Sequence, residues 1–294
     1  MTPAAAAAGP VLVLGASGKT GRAVTRALAA RGVRVRAAVR PGRPTDAVVT
    51  AGADEAVAVD LGTGEGLPEA LRGAAAVYHL APNVHPDEVG MAERVCAAAG
   101  RAAVGRLVFH SVLHPDDASM PHHARKARAE DVVRATPLPW TVLRPAAYHQ
   151  NLLDAALRGR IAVPHDLDAP FTNVDLGDVA EVAATALTGT LPAGGTHELA
   201  GPETLSVRAL AEVATGVLGR PVHAEQVTLE DWATGPAASL PDQARADLTA
   251  MFRAYDAAGL VGRSDELTEL LGRTPTSWAQ ALRAADTTTE RSTT

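Results

Sequence analysis

A single cysteine, Cys96, in 294 residues excludes a disulfide framework and any multi-cysteine metal cluster, and it suits a reducing compartment. Aromatic residues are scarce at 3%, so each Trp, Tyr and Phe is a candidate pocket wall or core anchor. No apolar run approaches the roughly 18 residues of a membrane span. The opening segment, Met1 to Pro10, lacks the cationic flank of a signal peptide, and its apolar content is only alanine. An excess of positive charge is lacking too. Lys and Arg number 27 against 33 Asp and Glu, which argues against a general nucleic-acid binder, because such a protein needs a basic face to displace counterions. The 26 glycines and 20 prolines show no triplet period, so collagen is excluded, and no repeat of a solenoid or propeller is visible. What is present is an apolar fraction of 47%, enough to bury a core in one large domain or two small ones. The small net charge of −6 argues against disorder. The expectation is a cytoplasmic protein, monomer or homodimer, whose partner is a small-molecule substrate rather than nucleic acid or membrane.

The first half alternates strands with helices. Val11 to Leu14 is a continuous apolar run, as a strand buried on both faces requires. It ends at Gly15, and residues 19–31 then repeat apolar positions at helical spacing through Ala23, Val24, Ala27 and Leu28. Further strands are expected at Val33–Val39, Ala56–Val59, Ala75–Leu80, Arg106–Phe109 and Trp140–Leu143, with helices near 87–103 and 122–135. Strands separated by helical stretches pair in parallel, because a parallel return needs a crossover. Right-handed crossovers make an α/β doubly wound parallel sheet of the Rossmann type, with its ligand at the carboxyl ends of the strands where the order reverses. After residue 145 the rhythm changes to helices near 147–158, 176–188, 206–218 and 242–258, joined by short strands near Ile161, Phe171, His197 and Val222. The resulting division is a disordered start (1–9), a dinucleotide-binding domain (10–145), a small α+β substrate cap (146–286) with strands returning to the first domain, and a flexible tail (287–294).

The strongest chemical signal is Gly15-Ala16-Ser17-Gly18-Lys19-Thr20-Gly21, which follows a buried strand and opens a helix. Glycines there allow a tight turn and close approach of backbone to a pyrophosphate, and the helix start offers unpaired N–H groups to the anion. A Walker A loop is excluded because Val13 stands where its first glycine belongs, and a nucleophile elbow because Lys19 stands where its last one does. After strand two comes Arg40-Pro41-Gly42-Arg43, with no carboxylate before Asp46. An NAD site wants an acid there for the ribose hydroxyls, whereas guanidinium suits a 2′-phosphate. NADP(H) is therefore expected in preference to NAD(H), with Arg40 the main contact. Asp60 and Leu61, at the end of strand three, are placed beside the adenine, and Leu80, Ala81 and Pro82, after strand four, beside the nicotinamide ribose.

Taken with Val35–Arg40, Val59-Asp60, Lys126 with Glu130, Trp140–Pro145 followed by Asn151, and Asp178-Val179-Ala180, the glycine motif resembles the NmrA-like family of atypical short-chain dehydrogenase/reductases. The resemblance spans about residues 11–225. It implies an NAD(P)-binding Rossmann domain with a small C-terminal substrate region. It also implies one of two occupations: an NAD(P)H-dependent reductase, acting on quinones, imines or plant phenolics, or a non-catalytic cofactor-sensing regulator.

Standard short-chain dehydrogenases carry Tyr-x-x-x-Lys on the helix after strand five, with a serine at the preceding strand end. Here Lys126 falls at the lysine position and Ser111 near the serine position, while His122 replaces the tyrosine. His122 and Lys126 are four residues apart and share a helix face. The cation disfavours imidazolium beside it. Lys126 is expected to bind the nicotinamide ribose and handle a proton, with His122 or a water as relay and Ser111 polarising the acceptor oxygen. Asn83, His85, His114, Tyr148 and His149 are expected at the substrate rim. No metal is expected: His110 and His114 sit on a strand end and loop without a carboxylate cluster. Cys96 reads as buried filler, and Asn151, Asp175 and Asp178 as structural, the last suiting a helix dipole.

Overall fold

A computed structural model describes the chain from Gly9 to Ser292. Its elements are β1 (Val11–Val13), α1 (Lys19–Ala29), β2 (Val35–Val39), α2 (Asp46–Thr50), β3 (Glu55–Ala58), α3 (Leu67–Leu71), β4 (Ala76–His79), α4 (Glu88–Arg101), β5 (Leu107–His110), α5 (Pro121–Arg134) and β6 (Trp140–Pro145). A 3-10 turn (His149–Asn151) follows, then α6 (Leu153–Leu157), β7 (Arg160–Val163), α7 (Leu176–Leu187), β8 (Thr196–Leu199), α8 (Val207–Leu218), β9 (His223–Gln226), α9 (Leu229–Thr234), α10 (Asp242–Ala258), α11 (Asp265–Leu271) and α12 (Trp278–Ser292).

The principal sheet has seven strands in the order β3-β2-β1-β4-β5-β6-β8. Strands β1 to β6 pair in parallel, with Val11 opposite both Val35 and Ala76. The order reverses between β1 and β4, so the crevice expected of a doubly wound sheet opens between those two carboxyl ends. The run Val11–Leu14 is wholly buried because both of its faces are covered. One face packs Leu12, Leu14, Val77, Leu107, Phe109 and Val142 against α3, α4 and α5, through residues such as Leu71, Met91, Val95 and Ala129.

The chain forms two compact units, and their boundaries are discontinuous. The first gathers residues up to Ser111, Arg125–Leu143 and Ala180–His197; the second takes Val112–Ala124, Arg144–Val179 and everything from Glu198. Beside the boundary expected at residue 145, most of α7 lies in the sheet unit and residues 112–124 in the second. The second unit has its own two-stranded parallel sheet, β7 with β9. Its core assembles Ile161, Val163, Leu210 and Ala214 around Trp278, whose indole N–H donates to the Leu210 carbonyl at 2.9 Å. Strand signal at Phe171 yields only isolated bridges, to Leu205 and Leu260. The tail expected from Thr287 is instead the end of α12, which continues to Ser292. The expected disordered start lies, apart from Gly9, outside the described residues. Among those residues no helix is long and apolar enough to cross a membrane.

Candidate functional site

The glycine turn occupies the reversal point. Gly15 adopts φ +71, and a Cβ there would lie 2.7 Å from the Leu80 carbonyl, so the backbone after β4 leaves no room for a side chain at this position. Gly18 caps α1 with no side-chain hydrogen bond, and its N–H donates to the Gly15 carbonyl at 3.1 Å. Ala16 is buried, while Ser17, Gly18 and Lys19 face outward. The first-turn amides of α1 are thus presented by a loop without bulk, which fits a pyrophosphate. Thr20 is buried, and so is Gly21.

Arg40 follows β2 directly. Pro41 and Gly42, the latter at φ +75, make a type II turn closed by a 3.1 Å hydrogen bond from Arg43 N–H to the Arg40 carbonyl. Proline sets the first corner and glycine takes the left-handed one, so the sequence dictates the turn, and Arg40 and Arg43 stand at its two ends as exposed residues. Asp60 does something the sequence left open. Its Oδ1 accepts from the N–H groups of Gly62 (2.8 Å) and Thr63 (3.3 Å), so one oxygen caps its own loop. Leu61 lies in the core, and its carbonyl takes a 2.9 Å hydrogen bond from Arg94 Nε. After β4, Leu80 is half-buried against Gly15, Ala81 is in the core, and Pro82 and Asn83 are exposed.

Lys126 is the pivot of the sheet unit. It is 8% exposed, which excludes a solvated basic helix face. Its Nζ lies 2.7 Å from Glu88 Oε1, donates to the His110 carbonyl at 2.9 Å, and stands 5.1 Å from the centre of the Phe109 ring. His79 shares this neighbourhood, with its ring 5.4 Å from Phe109. Among the described residues it has no hydrogen-bond partner at either ring nitrogen. Burial, and then the Lys126 charge, push the His79 imidazole down to about 3, and the same two causes bring His110 to about 3. His110 Nδ1 lies 2.5 Å from the Tyr78 hydroxyl.

These two histidines carry a prediction. Their folded-state values lie below the ordinary 6.5, so between pH 6.5 and about 3 the unfolded chain binds protons that the folded chain refuses. Stability is complete above pH 6.5 and falls as the solution is acidified, by about 1.4 kcal/mol per pH unit per histidine. Urea titrations at pH 7.5 and 5.0 should show the loss, and His79→Leu should reduce it by about half. Equal loss in that variant removes His79 from the account.

Other expected site residues have different occupations. Ser111 is fully buried, and its hydroxyl donates to Glu130 Oε1 at 2.5 Å; the other Glu130 oxygen pairs with Arg134 at 2.5 Å. The serine is spent inside the unit and is not poised to polarise an acceptor. In the second unit His122 is buried with its ring edge-on to His123 at 4.4 Å. His114 is exposed at φ +50, with Nε2 2.7 Å from the Val261 carbonyl. Tyr148 bridges to Val174. His149, expected at a rim, is 2% exposed and packs on Trp278 at 5.4 Å, so it is core. Asp178 stands in the first turn of α7, as expected, and also ties Arg273 (2.7 Å) and the Thr276 amide (2.6 Å). His85, in the sheet unit, accepts from the Asp87 amide at 3.1 Å and so shapes the start of α4. Burial raises the Cys96 thiol to about 11, which removes it as a nucleophile. Among the described residues no group of three or more His, Cys, Asp or Glu could hold a metal ion. Sequence reasoning did not pair Glu88 with Lys126 or Glu130 with Ser111; the signal available for Glu88 was an acid opening the helix that follows β4.

Residues 8–285 match the NmrA-like family. The chain belongs to that family. A (4-alkanoyl-5-oxo-2,5-dihydrofuran-3-yl)methyl phosphate reductase of Streptomyces griseus is 37% identical over 79% of this chain and 82% of that enzyme. An NAD(P)H azoreductase of Xenophilus azovorans is 26% identical over 93% of this chain and 97% of its own length. Among solved structures, the NADPH complex of an Escherichia coli quinone oxidoreductase superposes with a TM-score of 0.79 at 23% identity, covering 94% of this chain and 99% of that one. NmrA, a negative transcriptional regulator solved with NAD, superposes at 0.76 with 19% identity over 95% of each chain. The curated relatives are thus named as reductases, one of them for NAD(P)H, and the two solved structures share this chain's fold.

Proposed function

We propose that this NmrA-like protein is an NADPH-dependent reductase of small conjugated acceptors. The observation that carries the reading is Lys126: a buried, fixed ammonium at the carboxyl end of β5, in the same unit as the glycine turn. When bound, the cofactor supplies hydride. The α1 amides after Gly18 hold its pyrophosphate, and Arg40 with Arg43 takes the 2′-phosphate as paired guanidinium donors. Asp60 and Leu61 flank the adenine. Lys126 Nζ donates to the ribose hydroxyls and yields a proton to the acceptor's heteroatom, a role for which lysine, unlike arginine, can be deprotonated. The relatives' acceptors share a chemistry. A quinone, an azo compound and an acylated butenolide each delocalise an incoming electron pair onto an electronegative atom, so one proton donor serves all three.

The test is NADPH oxidation with a quinone, an azo dye and an acyl-butenolide. Turnover of at least one is expected. Arg40→Asp should weaken NADPH about 10- to 100-fold and leave NADH unchanged or better, because a carboxylate repels the 2′-phosphate and welcomes the hydroxyl. Unchanged preference removes Arg40 from the site. A second reading, a cofactor sensor, is favoured by His122 at the tyrosine position and by Ser111 being committed to Glu130. Tight NADPH binding with no turnover of any acceptor would establish it.

A further inference from the structure

Only two of the chain's 27 basic residues are lysines, Lys19 and Lys126. Every other one is an arginine, including the partners of Glu55, Asp87, Glu130, Asp168 and Glu225. An ion pair kept for packing alone is served as well by arginine, whose planar fork suits a carboxylate and never loses its proton. At residue 126 the chain uses the cation that can. The carboxylate facing it is unusual as well. Glu88 opens α4, next to Asp87, yet the two acids differ. Asp87 is exposed and pairs with Arg94, whereas Glu88 is 3% exposed and faces Lys126. A carboxylate buried to that degree needs a counter-charge, and so does the ammonium. Each supplies the other's.

We propose that Glu88 is the positioning residue of the site: its carboxylate keeps Lys126 charged and aims Nζ at the carboxyl end of β5. The proposal rests on the reading of Lys126 given above. Among the described residues, the groups around Nζ leave Glu88 as the anion set against it. From β4 comes His79, held neutral by burial, and from β5 the His110 carbonyl and the Phe109 ring. Tyr78 and His110 hydrogen-bond to each other. On α5 itself the nearest acid, Glu130, is engaged by Ser111 and Arg134. Arg125 and, one turn earlier, His122 add no negative charge. Removing the Glu88 charge therefore leaves a buried ammonium with only a carbonyl and a ring face, and desolvation drives it toward the neutral amine. Without Glu88, Lys126 loses its proton at lower pH, and any step needing the ammonium fails earlier as pH rises.

With two lysines, the full-length protein carrying lysine labelled with 13C at Cε gives two resonances, assigned by Lys126→Met. In Glu88→Gln the Lys126 titration should move down by at least one pH unit, a tenfold easier deprotonation, and in Glu88→Asp by less. The alkaline limb of NADPH-linked quinone turnover should move down with it by the same amount, with little change in acceptor KM, and turnover well below that limb should match the wild type. An unmoved resonance in Glu88→Gln overturns the inference and leaves the reductase reading intact. A moved resonance with an unmoved rate profile overturns it too, since the pair is then a contact of the fold. If Lys126→Met leaves NADPH affinity and turnover unchanged, the reading of Lys126 itself fails. Should Glu88→Gln unfold, Glu88→Asp, which keeps the charge on a shorter arm, carries the same comparison.

Discussion

Alanine at Gly21 is expected to abolish cofactor binding, by about 100-fold or more in NADPH affinity. The usual expectation has the opposite sign: in a helix, alanine is favoured over glycine by about 1 kcal/mol. Gly21 lies inside α1, so propensity alone would make the substitution stabilising. The surroundings decide otherwise. A Cβ at this position would sit 2.2 Å from the Gly15 carbonyl oxygen and 2.6 Å from the Ala16 Cα. Both are backbone atoms and cannot rotate away as a side-chain end would, so the turn itself must open. That turn sets the spacing between β1 and the α1 amides, and a shift of a few tenths of an ångström spoils several hydrogen bonds to an anion at once. Gly216 is the control. It lies inside α8, and a methyl group added there would meet nothing within 4 Å, so Gly216→Ala should raise stability by up to about 1 kcal/mol and leave NADPH affinity alone. Calorimetric titration and thermal melts of the two variants make the comparison. Wild-type affinity in Gly21→Ala would show that the turn does not hold the cofactor.

The glycine turn was legible because its constraint is local: strand, turn and helix are consecutive, and each is specified by residues within ten positions. The same holds for Arg40-Pro41-Gly42-Arg43, where proline and glycine dictate the turn. Side-chain partners are a different matter. Ser111 sits near the expected position, but the acid that claims its hydroxyl, Glu130, is 19 residues on. Nothing in a serine's own neighbourhood reveals that. His149 follows a strand end and so resembles a rim residue. What buries it is Trp278, far along the chain on α12. Lys126 is legible by its position, and its counter-ion is not, because Glu88 reaches it across the packing of α4 beside α5. The boundary between the units is discontinuous for a related reason. The chain leaves the sheet unit within β6 and comes back for most of α7 and the start of β8; a returning strand is legible in the sequence, but the residues at which the chain crosses are not. Periodicity reads elements, whereas long-range pairing is settled only in three dimensions.

Lys126→Met should separate the lysine's contribution to the fold from its contribution to chemistry. The substitution keeps most of the side-chain volume and removes the charge, leaving Glu88 buried at 3% exposure opposite a thioether. Stranding one member of a buried pair costs about 3–5 kcal/mol, more than the whole pair is worth against neutral replacements. The stranded carboxylate is then desolvated with no counter-charge, so the folded state disfavours its ionised form. Its protonated form is the one the fold tolerates, so the deficit relative to wild type is greatest at high pH and shrinks as pH falls. Lys126→Met/Glu88→Gln removes both charges and should recover most of the stability, because neither desolvated ion remains. Turnover should not recover. General acid catalysis is typically worth about 10²- to 10⁴-fold, and neither methionine nor glutamine supplies a proton at that point. Urea denaturation at pH 6 and pH 8, run beside NADPH-linked turnover for the single and double variants, gives both quantities. Stability restored with activity still lost places the ammonium in the reaction. Activity restored together with stability would reduce Lys126 to a packing residue, and the NmrA-like chain would then be better described as a sensor.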